Sequence, residues 1–158
     1  MGKGLSGDRT RIGVNAVRIA DVLRDKGSGV ATVDPQARVG DVVTTLDRHN
    51  VGALVVVDGG RVVGIVSERD VVRGLARRGP ALLADPVTDI MTAEVTTCAP
   101  GDTVDSLAAT MTERRIRHLP VIDGGELAGI VSIGDVVKSH ISTLEADRDQ
   151  LQSYISQG

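Results

Sequence analysis

The chain has 158 residues, enough for one sizeable hydrophobic core or for two small cores fused into one body. Hydrophobic residues make up 41% and charged residues 25%, the balance of a globular protein, and no apolar run approaches the roughly 18 residues that span a membrane. The formal net charge of −3 argues against a nucleic-acid-binding surface, because phosphate binding needs a basic face.

The apolar residues are almost entirely aliphatic. The chain has no Phe or Trp and one Tyr, so Val, Ile, Leu and Ala must form the core, which favours strands packed against helices. The single cysteine, Cys98, excludes an intramolecular disulfide and fits a reducing compartment. We therefore predict a cytoplasmic protein in which Cys98 is a small buried strand residue.

Residues 1–16 are rich in glycine and basic side chains and lack the apolar segment of a secretory signal, which favours a disordered leader. Beyond them, the spacing of apolar residues and the turn signals predict six elements in the first half of the chain. These are a short helix at 17–24, a strand at 30–33, an amphipathic helix from 39 to about 50, a strand at 53–57, a return strand at 61–66 and a helix at 68–78.

The second half repeats this order. Residues 30–72 and 95–137 are identical at 17 of 43 positions, and a self-match at a fixed offset indicates a duplicated structural unit. The repeat predicts a strand at 95–98, a helix with apolar residues at 104, 107, 108 and 111, strands at 119–122 and 126–131, and a helix that begins at Ile133. The predicted fold class is α+β, with two β-α-β-β-α repeats packed through their sheets.

We place the first repeat at 17–80 and the second at 81–140, and expect neither to be stable alone because about 60 residues bury too little surface. Residues 141–158 continue as a charged helix. Its apolar residues Ile141, Leu144, Leu151 and Ile155 follow a 3-4 spacing typical of a seam for another helix, which favours a homodimer. The alternative is that this helix packs on its own chain.

Each repeat contains an apolar strand followed by Ser-x-x-Asp, with Ser67 and Asp70 in the first and Ser132 and Asp135 in the second. One explanation is structural: the pair forms a capping box, which stabilises a helix by roughly 1 kcal/mol. The other is a ligand site at the helix N-terminus, where the carboxylate accepts hydrogen bonds from two ribose hydroxyls and the serine faces a phosphate. The occurrence of the motif at equivalent positions in both repeats favours the ligand site.

The sequence resembles a tandem pair of cystathionine-β-synthase (CBS) domains, the regulatory unit called a Bateman module. The resemblance covers about residues 17–140 and rests on Gly-Ile-Val-Ser-x-x-Asp in both repeats, on Asp21-Val22-Leu23 and Asp89-Ile90-Met91, and on residues 51–58 and 117–123. It implies a stand-alone CBS-domain pair without a cofactor, whose regulatory ligand contains adenosine: AMP, ADP, ATP, S-adenosylmethionine or NAD.

By this resemblance the ligand lies in the cleft between the repeats. Asp70 and Asp135 would bind ribose hydroxyls, and Ser67 and Ser132 would bind a phosphate. Adenine would lie between the first strand of a repeat and the beginning of its second strand. The implied contact residues are Thr32, Val33, Val51, Gly52 and Ala53 in the first repeat, and Thr97, Cys98, Ile116, Arg117, His118, Leu119 and Pro120 in the second.

The two repeats differ in charge around these positions. The second repeat has Arg114, Arg115, Arg117 and His118 where the first has His49, Asn50, Gly52 and Ala53. Arg69, Arg117 and His118 are candidates for phosphate contacts, whereas Arg114 and Arg115 read as solvated cations at a helix C-terminus. We expect the two sites to differ, with the Asp135 site preferring the more highly phosphorylated nucleotide.

A catalytic function finds no support, because neither serine lies in a Gly-x-Ser-x-Gly elbow and the three histidines lack metal-ligand spacing. We therefore predict a non-enzymatic energy sensor that acts on an unidentified effector protein and binds neither nucleic acid nor membrane. Its expected signal is a ligand-dependent change in conformation or dimer geometry. The alternative is a dimeric interaction module with vestigial nucleotide sites.

Overall fold

The computed structural model describes residues 16–27 and 29–157 of the chain. Apart from Ala16, the leader predicted for residues 1–16 lies outside the described residues. The elements, in chain order, are α1 (Ile19–Lys26), β1 (Thr32–Val33), α2 (Val39–His49), β2 (Ala53–Asp58), β3 (Arg61–Ser67), α3 (Glu68–Arg78), two short 3-10 helices (Gly79–Ala84 and Val87–Asp89), α4 (Val104–Arg114), β4 (His118–Asp123), β5 (Glu126–Ser132) and α5 (Ile133–Ser156).

Two antiparallel hairpins form the centres of the two repeats. In the first, β2 pairs with β3 and carries β1 alongside it in parallel; in the second, β4 pairs with β5. Both hairpins turn through two glycines with positive φ, 56° and 81° at Gly59 and Gly60 and 58° and 83° at Gly124 and Gly125. A two-residue type I′ turn requires these angles. The predicted α+β fold with a duplicated hairpin is confirmed.

The strand predicted at 95–98 is wrong. Only Cys98 pairs with the sheet: its N–H donates to the Pro120 carbonyl at 3.0 Å, and its own carbonyl accepts from Ile122 at 2.8 Å. In the first repeat the ladder extends further because the Val55 N–H donates to Ala31. Pro120 occupies the position of Val55 and has no N–H, so the corresponding bond is lost and the strand is reduced to a single bridge.

The segment that opens each repeat packs on the core of the other repeat. Ile19 of α1 is fully buried in the core of the second repeat, and its N–H donates to the Asp102 carbonyl at 2.9 Å. In the same way, Val87 is fully buried in the core of the first repeat, and its N–H donates to the Ala37 carbonyl at 2.8 Å. Each core therefore combines residues from both sides of residue 80, and the repeats interlock.

Two glycines allow these crossing segments to approach the hairpins closely. A Cβ at Gly64 of β3 would lie 2.5 Å from Met91 Sδ, and one at Gly129 of β5 would lie 2.6 Å from Leu23 Cδ2. Met91 and Leu23 thus lie directly on the strand backbone of the opposite repeat. The glycine that precedes Ile-Val-Ser in both repeats is therefore explained by close packing.

Helix α5 is continuous for 24 residues, so the helix predicted at 141–158 is the second half of a helix that begins at Ile133. Its N-terminal part packs on α4 and β5. Further along, its apolar side chains are exposed, by 51% at Ile141 and 74% at Ile155. In residues 16–27 and 29–157, no helix has the length and apolar composition needed to cross a membrane.

Candidate functional site

Both Ser-x-x-Asp motifs form capping boxes. At the start of α3, the Ser67 N–H donates to Asp70 Oδ2 at 2.8 Å, and the Asp70 N–H donates to Ser67 Oγ at 3.3 Å. At the start of α5, Ser132 and Asp135 make the same two bonds at the same distances. Helix capping therefore accounts for the motif in both repeats, and any ligand role has to rest on what surrounds each aspartate.

Asp70 opens onto a cleft of about 550 Å³ between the two repeats, a volume within the range of small-molecule sites. One wall comes from the first repeat, at the beginning of β2, the end of β3 and the first turns of α3. The other wall comes from the second repeat and consists of residues 115–118, Thr92 and Ile133. The aspartate of one repeat therefore faces the chain that leads into β4 of the other.

Four arginines line this cleft, Arg69 and Arg73 from α3 and Arg115 and Arg117 from the segment before β4. In the described part of the chain, none of their guanidinium groups lies within 4.0 Å of a carboxylate oxygen. Asp70 Oδ2 accepts hydrogen bonds from Ser67, whereas Oδ1 has no donor among the described residues. The cleft thus combines a free carboxylate oxygen with an excess of positive charge.

The backbone at Arg115 adopts an uncommon conformation. Arg115 ends α4 with φ 55°, in the left-handed region, and its N–H donates to the Met111 carbonyl. Its counterpart in the first repeat, Asn50, ends α2 with φ 50°. Asn adopts this region readily and long side chains do so rarely, so the backbone does not explain the choice of arginine. The position of its side chain on the cleft offers an explanation.

Gly52, Glu68 and His118 lie close together where the repeats meet. A Cβ at Gly52 would lie 2.8 Å from Glu68 Oε1 and 3.3 Å from His118 Nε2, so glycine keeps this side of the cleft open. Burial lowers the pKa of the His118 imidazole, and the Glu68 carboxylate offsets only part of that effect. His118 is therefore neutral at neutral pH and offers a hydrogen bond rather than a charge.

Asp135 lies in a different environment. Its Oδ2 atom accepts a hydrogen bond from Lys26 Nζ at 2.6 Å in addition to its bonds from Ser132. Burial alone would raise the pKa of the Asp135 carboxyl, but the hydrogen bonds from Lys26 and the Ser132 backbone outweigh burial and hold that pKa below its usual value. A lysine therefore neutralises the aspartate of the second repeat.

The structure brings the following predicted site residues together on the Asp70 cleft: Gly52, Ala53, Ser67, Arg69, Asp70, Ile116, Arg117 and His118. Asp135 lines a separate cavity of about 570 Å³ between α1 and α5, together with Lys26. Ser132 caps α5 beside it.

The remaining predicted residues do not line either cavity: Thr32, Val33, Val51, Thr97, Cys98, Leu119 and Pro120. Leu119 and Pro120 are buried in the hairpin, and both backbone groups of Cys98 are already paired with it. Thr97 lines a third depression beside Arg61 and Ile122. Thr32 and Val33 do not line the Asp70 cleft because the repeats interlock. This arrangement places residues of the second repeat beside Asp70, and not the first strand of its own repeat.

Several residues that were not predicted as ligand contacts also line the Asp70 cleft: Ile65, Glu68, Val72, Arg73, Thr92 and Ile133. Arg115 lines it too, although the sequence predicted a solvated cation at this position. Arg73 follows Arg69 by one helical turn, and this spacing was the available signal for it. Thr92 reaches the cleft because its backbone pairs with Ile65 in both directions, at 2.9 and 3.0 Å. No local pattern marks Thr92, because only the crossing of the opening segments brings it there.

The comparison with known families agrees with the duplicated fold. The family described as CBS domain matches residues 19–77 and 87–141. The chain belongs to the CBS-domain family. Its two matched segments are the two repeats, and together they form a tandem CBS pair, as the sequence predicted.

Proteins similar to this CBS pair occur in distant organisms. A mitochondrial CBS domain-containing protein of Arabidopsis thaliana is 37% identical over 157 residues, an alignment that covers 92% of this chain and 75% of that protein. The crystal structure of a CBS-domain-containing protein from Agrobacterium tumefaciens is 45% identical, with a TM-score of 0.77, and covers 78% of this chain and 99% of that one.

Two similar structures contain adenosine compounds. A CBS domain protein from Pyrobaculum aerophilum, complexed with AMP, is 31% identical with a TM-score of 0.67 and covers 75% of this chain and 89% of its own. The CBS domain pair of protein MJ0100, in complex with 5′-methylthioadenosine and S-adenosyl-L-methionine, is 25% identical with a TM-score of 0.73 and covers 81% of this chain and 98% of its own.

Proposed function

We propose that this CBS pair is a regulatory, non-catalytic module that binds an adenosine-containing nucleotide in the Asp70 cleft. The observation that carries the proposal is the convergence of a free carboxylate oxygen and four arginines in one cleft between the repeats. The AMP, S-adenosylmethionine and 5′-methylthioadenosine bound by similar CBS pairs support an adenosine ligand.

Asp70 binds the ribose in this proposal. Two neighbouring hydroxyls donate to the carboxylate, and each charge-assisted bond contributes roughly 1.5–3 kcal/mol. The bonds from Ser67 hold Oδ2 in place and leave Oδ1 free. The capping box and the ligand role are therefore compatible, because the cap fixes the carboxylate before the ligand arrives.

The phosphates face the arginines and the N-terminus of α3, where backbone N–H groups lack helical acceptors. Adenine packs against the aliphatic side chains of Ile65, Ile116 and Ile133, which line the same cleft. Four arginines favour a ligand with more than one phosphate, such as ADP, ATP or NAD. This reverses the expected preference of the two sites, because Arg115 and Arg117 of the second repeat line the cleft of Asp70 and not the cavity of Asp135.

The ligand signals by joining the repeats. It contacts Asp70 on the first repeat and residues 115–118 on the second, so its binding favours one relative position of the two hairpins. A ligand changes the output only if it binds two conformations with different affinity. Helix α5 continues from the second repeat and carries exposed apolar side chains, which makes it the element that transmits the change to a second copy or to an effector protein.

Thermal unfolding followed by ellipticity tests the proposal. Ligand at a hundred times its dissociation constant adds roughly 2.7 kcal/mol, so millimolar AMP, ADP, ATP, NAD or S-adenosylmethionine should raise the Tm by several degrees. Asp70→Asn should abolish the shift. Asp135→Asn is the matched control, because it disturbs the equivalent capping box of α5 and should retain the shift. A shift that survives Asp70→Asn would contradict the proposal.

The second candidate is a dimeric interaction module without a ligand. The exposed apolar side chains of α5 favour it: Leu144 is 67% exposed and Leu151 is 63% exposed. The absence of a Tm shift with all five nucleotides, combined with a dimer in sedimentation equilibrium that Leu151→Glu dissociates, would establish this candidate instead. The predicted cytoplasmic location is part of the proposal and rests on cysteine usage.

A further inference from the structure

Lys26 holds the aspartate of the second repeat. Its Nζ atom donates to Asp135 Oδ2 at 2.6 Å and to the Ile130 carbonyl at 2.9 Å. The side chains of both partners are partly buried, 31% exposed for Lys26 and 19% for Asp135. Together with the two bonds from Ser132, one carboxylate oxygen therefore receives three donors.

The first repeat offers a direct comparison. The carbonyl of Ile65, the counterpart of Ile130, accepts a hydrogen bond from the backbone N–H of Thr92 at 2.9 Å. Thr92 brings no charge to that position, and no lysine or arginine pairs with Asp70 among the described residues. The difference comes from the opening segments: α1 remains helical as far as Lys26, whereas the second repeat has only three residues of 3-10 helix before Thr92.

We propose that Lys26 is the residue that makes the two aspartate sites unequal: its ammonium group neutralises the Asp135 carboxylate through Oδ2, so ribose hydroxyls gain little from the remaining oxygen, Oδ1, and the chain binds one nucleotide, at Asp70. This inference rests on the proposed function. A nucleoside at Asp135 must either displace this ammonium group, which also satisfies the Ile130 carbonyl, or bind a carboxylate whose charge the ammonium group has already neutralised. A neutral pair of hydroxyls gains less from Asp135 than the ammonium group loses.

A different role for Lys26 makes the opposite prediction. If the ammonium group turned from Asp135 to the phosphates of a bound nucleotide, its removal would weaken binding to the second cleft. If it excludes the nucleotide, its removal opens the cleft. The number of nucleotides bound per chain separates these two roles.

Isothermal titration of the full chain with ATP, repeated with AMP, measures that number. We expect one nucleotide for the wild type, two for Lys26→Met, none for Asp70→Asn and one for the double variant Lys26→Met, Asp70→Asn. Lys26→Arg is the matched control, because it keeps a cation of similar length at Asp135 and should still bind one. Asp135→Asn, made in the wild-type chain, should leave both the number and the affinity unchanged, and this second variant keeps the test valid should Lys26→Met fail to fold.

The possible failures are distinguishable. Two nucleotides bound to the wild type, or one bound to a folded Lys26→Met chain, would overturn the role of Lys26 and leave the nucleotide function intact. A loss of affinity in Asp135→Asn would do the same. The absence of binding in every form would overturn the proposed function and this inference together.

Discussion

Arg115 holds a left-handed backbone conformation that its counterpart in the first repeat, Asn50, adopts more easily. At the scale of single residues, this contrast distinguishes the residue that the backbone conformation favours from the residue that the proposed ligand would favour. The left-handed backbone conformation at the end of α4 favours Asn or Gly. An arginine there is understandable if its guanidinium group serves the cleft that it lines.

Replacing Arg115 with Asn tests whether this residue contributes to ligand binding and not to the stability of the fold. Arg115→Asn copies the first repeat, so the free energy of unfolding should stay the same or rise slightly. The affinity for ATP should fall by about 5-fold, the value of an exposed charge contact of roughly 1 kcal/mol, and the affinity for AMP should fall less. Isothermal titration measures both affinities.

Arg114→Asn is the control, because Arg114 bonds to Thr96 at 3.2 Å and does not line the cleft. Equal losses of affinity in the two variants would show that the effect is one of overall charge and not of position.

The buried thiol of Cys98 should make the free energy of unfolding depend on pH in the alkaline range. Burial, with a smaller contribution from Asp102, raises the pKa of the Cys98 thiol to about 11 in the folded chain. The unfolded thiol ionises first, so the stabilisation is complete below about pH 8.5 and is lost as the pH rises towards 11, by about 2 kcal/mol. Urea unfolding at pH 8 and pH 10.5 should show a smaller loss for Cys98→Ala than for the wild type. Equal losses in the two chains would contradict the account.

At the scale of elements, the crossing of the opening segments decides which residues share a core. Ile19 and Leu82 are both fully buried, yet Ile19 opens the first repeat and packs in the core of the second, whereas Leu82 opens the second repeat and packs in the core of the first. Sequence order alone would assign each residue to the core of its own repeat.

Two alanine substitutions should show to which core each of these residues belongs. Ile19→Ala and Leu82→Ala should each destabilise the chain by about 2–5 kcal/mol, because each leaves a cavity in a closed core. Hydrogen exchange should then differ by region. Ile19→Ala should speed exchange mainly in α4, β4 and β5, and Leu82→Ala mainly in α2, β2 and β3. Faster exchange in the first repeat for Ile19→Ala would contradict the interlocked arrangement.

The hairpins, the helices and the Ser-x-x-Asp caps could be predicted from sequence because each depends on local signals: paired glycines, apolar spacing and capping residues. The strand at 95–98 was predicted by analogy with the first repeat and failed because Pro120 cannot donate the required hydrogen bond. The site was predicted in part. Asp70, Arg69 and residues 116–118 lie on one cleft, but Thr92 and the pairing of Lys26 with Asp135 depend on contacts between distant segments, which no local pattern encodes.

At the scale of the whole molecule, the duplication has produced two similar frames with different chemistry. Both aspartates sit in the same capping box, at the same distances. Around Asp70 the second repeat contributes Arg115 and Arg117, whereas around Asp135 the first repeat contributes Lys26. The asymmetry gives the CBS pair one cleft suited to an anionic nucleotide and one whose carboxylate is already neutralised.

A crystal structure of the full chain, grown with a nucleotide that stabilises it, would show which aspartate binds the ligand. We expect one nucleotide, with its ribose hydroxyls on the Asp70 carboxylate, its phosphates among Arg69, Arg115 and Arg117, and Lys26 still bonded to Asp135. A nucleotide found at Asp135 with the Asp70 cleft empty would contradict the account.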